Sequence, residues 1–490
     1  MDYETVIGLE VHAQLNTVSK MYCRCGTEYA NAAPNTHVCP VCLGMPGVLP
    51  TINEQAIEYT IMTALALNCT ISGCTKFDRK NYPYPDLMKG YQISQYDAPV
   101  GCQGWLNIDA NGNKKRIGIT RVHLEEDVAK LLHRTTGGES YSLVDVNRSG
   151  APLMEIVGEP DISSAEEARQ YLVKLRSILQ YLGVSTANME EGSFRCDANI
   201  SIRPRGSTEL LAKIEVKNMN SFKAVYRALE YEEERQRKAV AQGEKLTQET
   251  RGWVDDKGET VSQRSKEYAH DYRYFPEPDL PPLMIEPDKV EKMRAELPEL
   301  PEARRDRFMS DYGLSAYDAN LLTSSRALAD YFENCLATEE YKRLPQDMGA
   351  KEVSNWILGE VSRIINANNI DIADFGMKVA PERLVRLLVL NTEGNVSAAT
   401  SKSILENMYE TGREAEEIID DKGLSQISDS GQIEEIASRV IEANPQAVAD
   451  YRAGKEQSLK FLVGQLMKET KGRANPNLAG ELLKKKLGEG

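Results

Sequence analysis

Between Phe275 and Pro301 the chain carries seven prolines, and the hydrophobic pattern differs on the two sides of that stretch. Proline fixes φ and has no N–H to donate, so neither a long helix nor a central strand runs through such a density. Before it, apolar residues recur mainly at every second position, the spacing of strands with one covered face; after it they recur every 3.6 residues. With 490 residues the chain is also too long for one ordinary domain. The pattern predicts an α+β protein, with a mixed α/β domain first and helices only thereafter.

Within the first part, Val6–Leu15 reads as a strand. Its period of two places Glu10, His12 and Gln14 on one face and Leu9, Val11 and Ala13 on the other. A carboxylate and an imidazole side by side suit a hard metal ion or proton transfer. Further strands are expected at Lys115–Glu125, Ser142–Asn147, Leu153–Val157, Phe194–Ile202 and Lys213–Lys217. On these, Arg121, His123 and Glu125 share a face, as do Arg195, Asp197, Asn199 and Ser201, and Glu215 with Lys217. A half-exposed sheet has a polar face in any case. Here that face is rich in acids mixed with Arg, Asn and His. Glu10, His12, His123, Glu125, Glu190 or Glu191, Asp197 and Glu215 could therefore build a carboxylate-lined cleft for one or two divalent cations. Helices are expected at Ile52–Leu67, capped by Asn53, and at Ser164–Leu182, capped by Ser163 or Ser164. The loop Arg79–Gly90 combines basic and aromatic residues with two prolines, the composition of a functional loop.

Nine cysteines, four of them clustered as Cys23-x-Cys25 and Cys39-x-x-Cys42, argue against a disulfide framework. Two close pairs of thiolates can hold Zn²⁺ tetrahedrally, although His37 could replace one of them. Four protein ligands leave no open position, so such a zinc would be structural. No stretch is long and apolar enough for a membrane span, and the acidic Met1–Glu4 start lacks a signal-peptide pattern, so a cytoplasmic location is expected. The formal charge of −15 excludes a generally basic nucleic-acid binder. Charge is unevenly placed, however. Four basic and twelve acidic residues lie between Ser401 and Asp450, against nine basic and four acidic from Tyr451 to Gly490. A local anion-binding tail is one reading of this asymmetry and a solvated terminal helix is the other. After the prolines, helices are expected at Ala303–Tyr312, Ala316–Cys335, Pro345–Ala367, Pro381–Leu390, Ser397–Glu410, Ile433–Glu442 and Ser458–Met467, with a closing helix to Leu487. Neither a P-loop, a dinucleotide fingerprint nor a protein-kinase motif is present.

Four blocks together carry a family resemblance. They are Val6–Leu15, the cysteine cluster, Asp145–Val157 (DVNRSGAPLMEIV) and Asp271–Pro282 (DYRYFPEPDLPP). They resemble the B subunit of the tRNA-dependent amidotransferases, and the ending from Phe461 to Pro476 is similar to that family's tRNA-binding tail. The resemblance implies a heterotrimer with an amidase-like A subunit and a small C subunit. It implies ATP-dependent phosphorylation of the side-chain carboxylate of Glu-tRNA(Gln) or Asp-tRNA(Asn), then amidation by ammonia from the A subunit. The implied domains are a cradle over 1–292 with a zinc-binding insert, a helical domain over 293–410 and a tail over 411–490. The implied cofactors are ATP, Mg²⁺ and Zn²⁺. On this reading Glu10, His12, Glu125 and either Glu190 or Glu191 hold Mg²⁺, with Asp197 and Glu215 as further ligand candidates. Lys80 joins Glu10, His12 and Glu125 in catalysis, while Lys89 and Arg203 contact phosphate or substrate. Arg148, Glu155, Arg273 and Asp279 either touch substrate or hold the fold. Lys468, Lys471, Arg473 and Lys484–Lys486 contact tRNA. Two other classes compete: a non-catalytic tRNA-binding scaffold with a structural zinc, and a metal-dependent hydrolase built on Glu10, His12 and His123. A scaffold has no need of clustered acids, and a hydrolase would work without ATP.

Overall fold

The computed structural model describes residues 3–110, 112–265, 272–345, 349–424, 430–452, 455, 457–470, 474 and 476–488. The chain divides into two compact units, Met1–Leu300 and Pro301–Gly490.

The first unit is built on a nine-stranded sheet with the N-terminal strand Tyr3–Gln14 at its centre. From edge to edge the order is Glu259–Ser265, Glu249–Val254, Ile214–Lys217, Phe194–Pro204, Tyr3–Gln14, Pro152–Gly158, Asn113–Glu126, Gly101–Ala110 and Thr70–Ile71. Neighbours are antiparallel except Ile214–Lys217 and Glu249–Val254, which run parallel. The alternation on the central strand is strict. Ile7, Leu9, Val11 and Ala13 are at most 1% exposed, whereas Glu10, His12 and Gln14 between them are half-buried. The apolar face is covered by helices. Leu172, Leu175 and Leu179 of Ala165–Tyr181, and Val225, Ala228 and Leu229 of Phe222–Ala241, share one core with Ile7, Leu9 and Val11. Burying a side chain of this size stabilises by about 1.5–3 kcal/mol, so register is held firmly: a slip by one residue would turn Glu10 and His12 into that core.

Local signals start and stop the helices. Asn53 accepts from the Ala56 N–H ahead of Glu54–Ala66, and Ser164 accepts from Glu167 N–H ahead of Ala165–Tyr181. The helix Phe222–Ala241 was not expected. Its run of Glu and Arg masks a narrow apolar stripe, although Ser221 caps it through the Ala224 N–H.

The polar face of the large sheet is roofed by a small one, ordered Phe275–Pro276, Asp78–Asn81, Tyr91–Ser94. The proline-dense stretch therefore belongs to the first unit up to Leu300, and the division between the units falls at its end, between Leu300 and Pro301. Phe275–Pro276 pairs with Asp78–Asn81, and Leu283–Met284 pairs with Cys74–Thr75. Both are edge strands, where a missing N–H is tolerated. Arg79 clamps the return with a bidentate pair to buried Glu277, at 2.6 and 2.7 Å. A boundary at 292 falls inside the helix Pro287–Ala295, whose Val290 belongs to the first core, so the unit continues to Leu300.

Every element of the second unit among its described residues is a helix. The expected helix Ala316–Cys335 is two, Ala316–Leu322 and Arg326–Leu336, the second capped by Ser325. The expected helix Pro345–Ala367 passes through a π-turn at Ile357–Val361. Two separate cores form, one running from Phe308 to Ile419 and the other from Ile433 to Leu487. Because Ala415, Ile418 and Ile419 pack in the first, a division at 410/411 cuts through that core. No helix among the described residues is long and apolar enough to cross a membrane.

Candidate functional site

Between the polar face of the large sheet and the small roofing sheet lies a cleft of about 550 Å³. Sheet register explains its floor. Arg195, His12, Glu155 and His123 stand side by side on four adjacent strands. In the next row Asp197, Glu10, Val157 and Arg121 do the same, and Lys217 reaches Asp197 from the strand beyond. Directly opposite side chains on antiparallel strands lie about 4.5–5.5 Å apart at Cβ, so these rows are contact rows.

His12 Nε2 is 3.5 Å from Glu125 Oε1 and 3.5 Å from Glu155 Oε2. His123 Nε2 is 3.3 Å from the same Glu155 oxygen. His12, Glu125 and Glu155 each offer a ligand atom, all within 4.8 Å of one another. Burial disfavours the charged imidazole of His12, but Glu155 and Glu125 outweigh it and push its pKa up to about 9. Burial likewise opposes charge on Glu155, and the two histidines hold its carboxyl well below the usual range. One imidazole and two carboxylates leave several positions of a six-coordinate ion open, which fits a hard divalent metal that also binds a phosphate. The two carboxylates are compatible with Mg²⁺, and His12 could join them only once a bound ion displaces its proton.

Glu10, placed with His12 and Glu125 by the sequence, lies in the neighbouring row and accepts a hydrogen bond from Asn199 Nδ2 at 2.9 Å. Glu155, expected among substrate contacts, occupies the third position of the group. Asp197 and Glu215 line the cleft, each tied to Lys217, at 2.5 and 3.2 Å. Lys80 hangs from the roof over the rings of Tyr82 and Tyr272, at 5.8 and 5.1 Å. Burial works against its charge, yet Glu125, Tyr274 and Glu155 raise its pKa and keep it an ammonium. Tyr96 and Tyr274 stack at 4.3 Å beside it.

Other expected residues lie elsewhere. Lys89 is engaged by buried Glu126, which also accepts from the Ile93 N–H. Arg203 bonds Glu4 at 3.1 Å, away from the cleft. Arg148 donates to the Val128 and Ala129 carbonyls, at 2.9 and 3.1 Å, holding the rim. Glu190 and Glu191 are exposed in the turn before Phe194–Pro204 and do not line the cleft. Lys468 and Lys484 are exposed on the helices Gln457–Glu469 and Pro476–Gly488, and Lys485 is exposed as well. Lys486 donates to Ser438 Oγ at 3.0 Å, while Lys471 and Arg473 lie outside the described residues. The sequence reading missed Asp127, Gln92, Ser94, Gln95 and the four tyrosines Tyr82, Tyr96, Tyr272 and Tyr274 as cleft residues. The DYRYFP block and the Arg79–Gly90 loop were the available signals for Tyr82, Tyr272 and Tyr274, whereas Tyr96 lies outside both.

The second cluster is separate. Cys23, Cys25, Cys39 and Cys42 bring four sulfurs within 4.8 Å of one another, without His37. Cys39 and Cys42 sulfurs are 3.9 Å apart, close to the roughly 3.8 Å spanned by two thiolates about 2.3 Å from one tetrahedral zinc. The Cys39 N–H donates to Cys42 Sγ at 3.1 Å. A hydrogen bond from Cys23, together with that N–H and buried Lys20, outweighs burial and draws the Cys42 thiol down to about 4. Lys20 is fully buried and donates to the His37 carbonyl at 2.8 Å. The donor set is compatible with zinc.

Residues 5–291 match the family model described as GatB/GatE catalytic domain, and residues 330–487 match the GatB domain. A protein of Dehalococcoides mccartyi (strain ATCC BAA-2266 / KCTC 15142 / 195), named as the B subunit of aspartyl/glutamyl-tRNA(Asn/Gln) amidotransferase, is 67% identical over 489 residues, covering 100% of this chain and 99% of its own. Proteins of the same name from Thermomicrobium roseum and Moorella thermoacetica are 54% and 55% identical over 487 residues. Both alignments cover 99% of this chain, with 99% and 100% of theirs.

Proposed function

This chain belongs to the B-subunit family of the tRNA-dependent amidotransferases, and from that premise we propose how its cleft and clusters divide the work. It is a subunit of a glutamine-dependent ligase that forms a C–N bond on tRNA-borne glutamate or aspartate. We assign it two partners, an amidase-like A subunit that releases ammonia from glutamine and a small C subunit.

A carboxylate is a poor acyl donor because it has no leaving group. The side-chain carboxylate of Glu-tRNA(Gln) or Asp-tRNA(Asn) attacks the γ-phosphorus of ATP; the bond to the bridging oxygen breaks and ADP leaves. Ammonia then adds to the acyl carbon of the acyl phosphate, inorganic phosphate departs and a proton is lost, giving the amide. The obstacle in the first step is electrostatic, since two anions must meet. His12, Glu125 and Glu155 would hold Mg²⁺, which supplies charge neutralisation on the phosphates when bound. Lys80 meets the same charge from the roof, and Glu10, hydrogen-bonded to Asn199, borders the reacting groups. The His12–Glu125–Glu155 group under Lys80 is the observation that carries this reading. A bare tRNA scaffold would gain nothing from buried acids, which repel RNA.

The cysteine cluster takes zinc and holds the loop that follows the central strand. Met1–Leu300 forms the catalytic cradle. The helices up to Lys422 form a connecting domain, and the core from Ile433 to Leu487 forms the tail that contacts tRNA through Lys468, Lys471, Arg473 and Lys484.

The assay uses the chain assembled with its A and C partners, ATP, Mg²⁺, glutamine and each mischarged tRNA, and identifies the amino acid left on the tRNA. Glutamine or asparagine is expected, with ADP formed. The double variant Glu10→Gln/His12→Ala should lose ADP formation and keep glutamine hydrolysis. Retention of both activities would contradict the assignment.

A further inference from the structure

The polar face of the large sheet carries two arginines in neighbouring rows, and their surroundings differ. Arg195 is paired with buried Asp127 at 2.8 Å. Arg121 stands opposite Val157 on one side and Cys102 on the other, neither of which can accept its charge. It lines the cleft, and its buried Nε, like that of Arg195, has no hydrogen-bond partner, so the difference between the two is the carboxylate that Arg195 has and Arg121 lacks. Among the described residues no carboxylate lies within ion-pair distance of it, and Lys80 is the only other cleft cation of which this is true. A guanidinium nitrogen buried without a partner loses its hydration with nothing in return. The sheet nonetheless holds this one on the face where a substrate would sit.

Position adds to this. On its strand Arg121 precedes His123 by two residues, about 7 Å, and on the same face. Lys80 comes from the opposite wall, over Tyr82 and Tyr272. The two cations without carboxylates thus enter the cleft from the floor and from the roof. Joining a carboxylate to a phosphoryl group brings two oxyanions together, and each needs a cation at its non-reacting oxygens. The planar fork of arginine matches either one bidentately.

We infer that Arg121 is an oxyanion-binding residue of this site, receiving either a phosphate of ATP or the side-chain carboxylate of the aminoacyl group. The inference rests on the cleft's being the place where that carboxylate is phosphorylated. The test uses the assembled enzyme with Arg121→Gln and Arg121→Lys, varying ATP at saturating aminoacyl-tRNA and then the reverse. The Gln variant is expected to raise the KM of one substrate roughly 10- to 100-fold, with the Lys variant in between. Glutamine hydrolysis and Tm should stay at the parent's values. A rise for ATP identifies the phosphate, and a rise for aminoacyl-tRNA identifies the carboxylate. A fall confined to kcat at unchanged Tm supports a contact made on the phosphoryl group in transit. Both KM values and kcat within twofold of the parent, or a loss that tracks a lowered Tm and is not relieved by Lys, overturns the role. A parent complex that forms no ADP in response to aminoacyl-tRNA overturns the reading of the cleft and the role together. A parent that forms ADP beside indifferent Arg121 variants overturns the role alone.

Discussion

The first unit carries two ligand clusters that differ in every respect that decides what a metal can do. The cysteine cluster is made of four soft donors from one short stretch of chain, and four thiolates fill a tetrahedral zinc. The cleft cluster is made of one imidazole and two carboxylates from three strands, and it leaves most positions of a hard ion free for phosphate oxygens and water. The closed cluster can only hold a loop in shape. The open one, flanked by Lys80, can bind what reacts. On the proposed reading one unit separates stability from chemistry, and the separation makes unequal demands on sequence and fold.

The sharpest break of this comparison removes charge from the open cluster. Glu125→Gln or Glu155→Gln should lower tRNA-dependent ADP formation about a hundred- to a thousandfold, while zinc content, read by elemental analysis, stays the same. Next comes the reverse experiment. Cys42→Ser should release the zinc and destabilise the first unit by about 2–5 kcal/mol in denaturant titration. Activity per folded molecule should stay within a few-fold. A Cys42 variant that stays folded but forms no ADP would merge the two clusters into one function.

The same contrast explains what was legible. The thiols are legible because ligands within one short stretch need no fold to bring them together. The face of Tyr3–Gln14 is legible because strand alternation is strict and one side must be covered. Glu155 was not assigned to the metal group because its place depends on register: it stands opposite His12 on one side and His123 on the other, and no local spacing encodes that. Glu190 and Glu191 satisfied composition but sit in an exposed turn. The tyrosine-lined roof was missed for a topological reason. Phe275–Pro276 returns to pair with Asp78–Asn81, so that Pro276 occupies a sheet edge far along the chain from the strands it joins.

Two smaller effects sharpen the account at its margins. Lys468→Ala with Lys484→Ala should raise the KM for charged tRNA about three- to tenfold and lower the magnitude of the salt slope by about 1–2, with ADP formation at saturating tRNA unchanged. Asn53→Ala should cost about 1 kcal/mol through the lost cap. It also removes the Asn53 Nδ2 donations to the Ser19 carbonyl (2.9 Å) and the Lys20 carbonyl (3.3 Å), which tether the loop leading to the thiols. Urea titration with and without a zinc chelator measures both parts.

The central claim is that the cleft phosphorylates a carboxylate. Aminoacyl-tRNA labelled with oxygen-18 in the side-chain carboxylate, turned over by the assembled enzyme with ATP and ammonium, tests it most directly through the mass of the phosphate released. Acyl phosphate formation predicts one labelled oxygen carried into each phosphate, and its disappearance with Glu125→Gln. Unlabelled phosphate accompanying amidated tRNA would contradict the account.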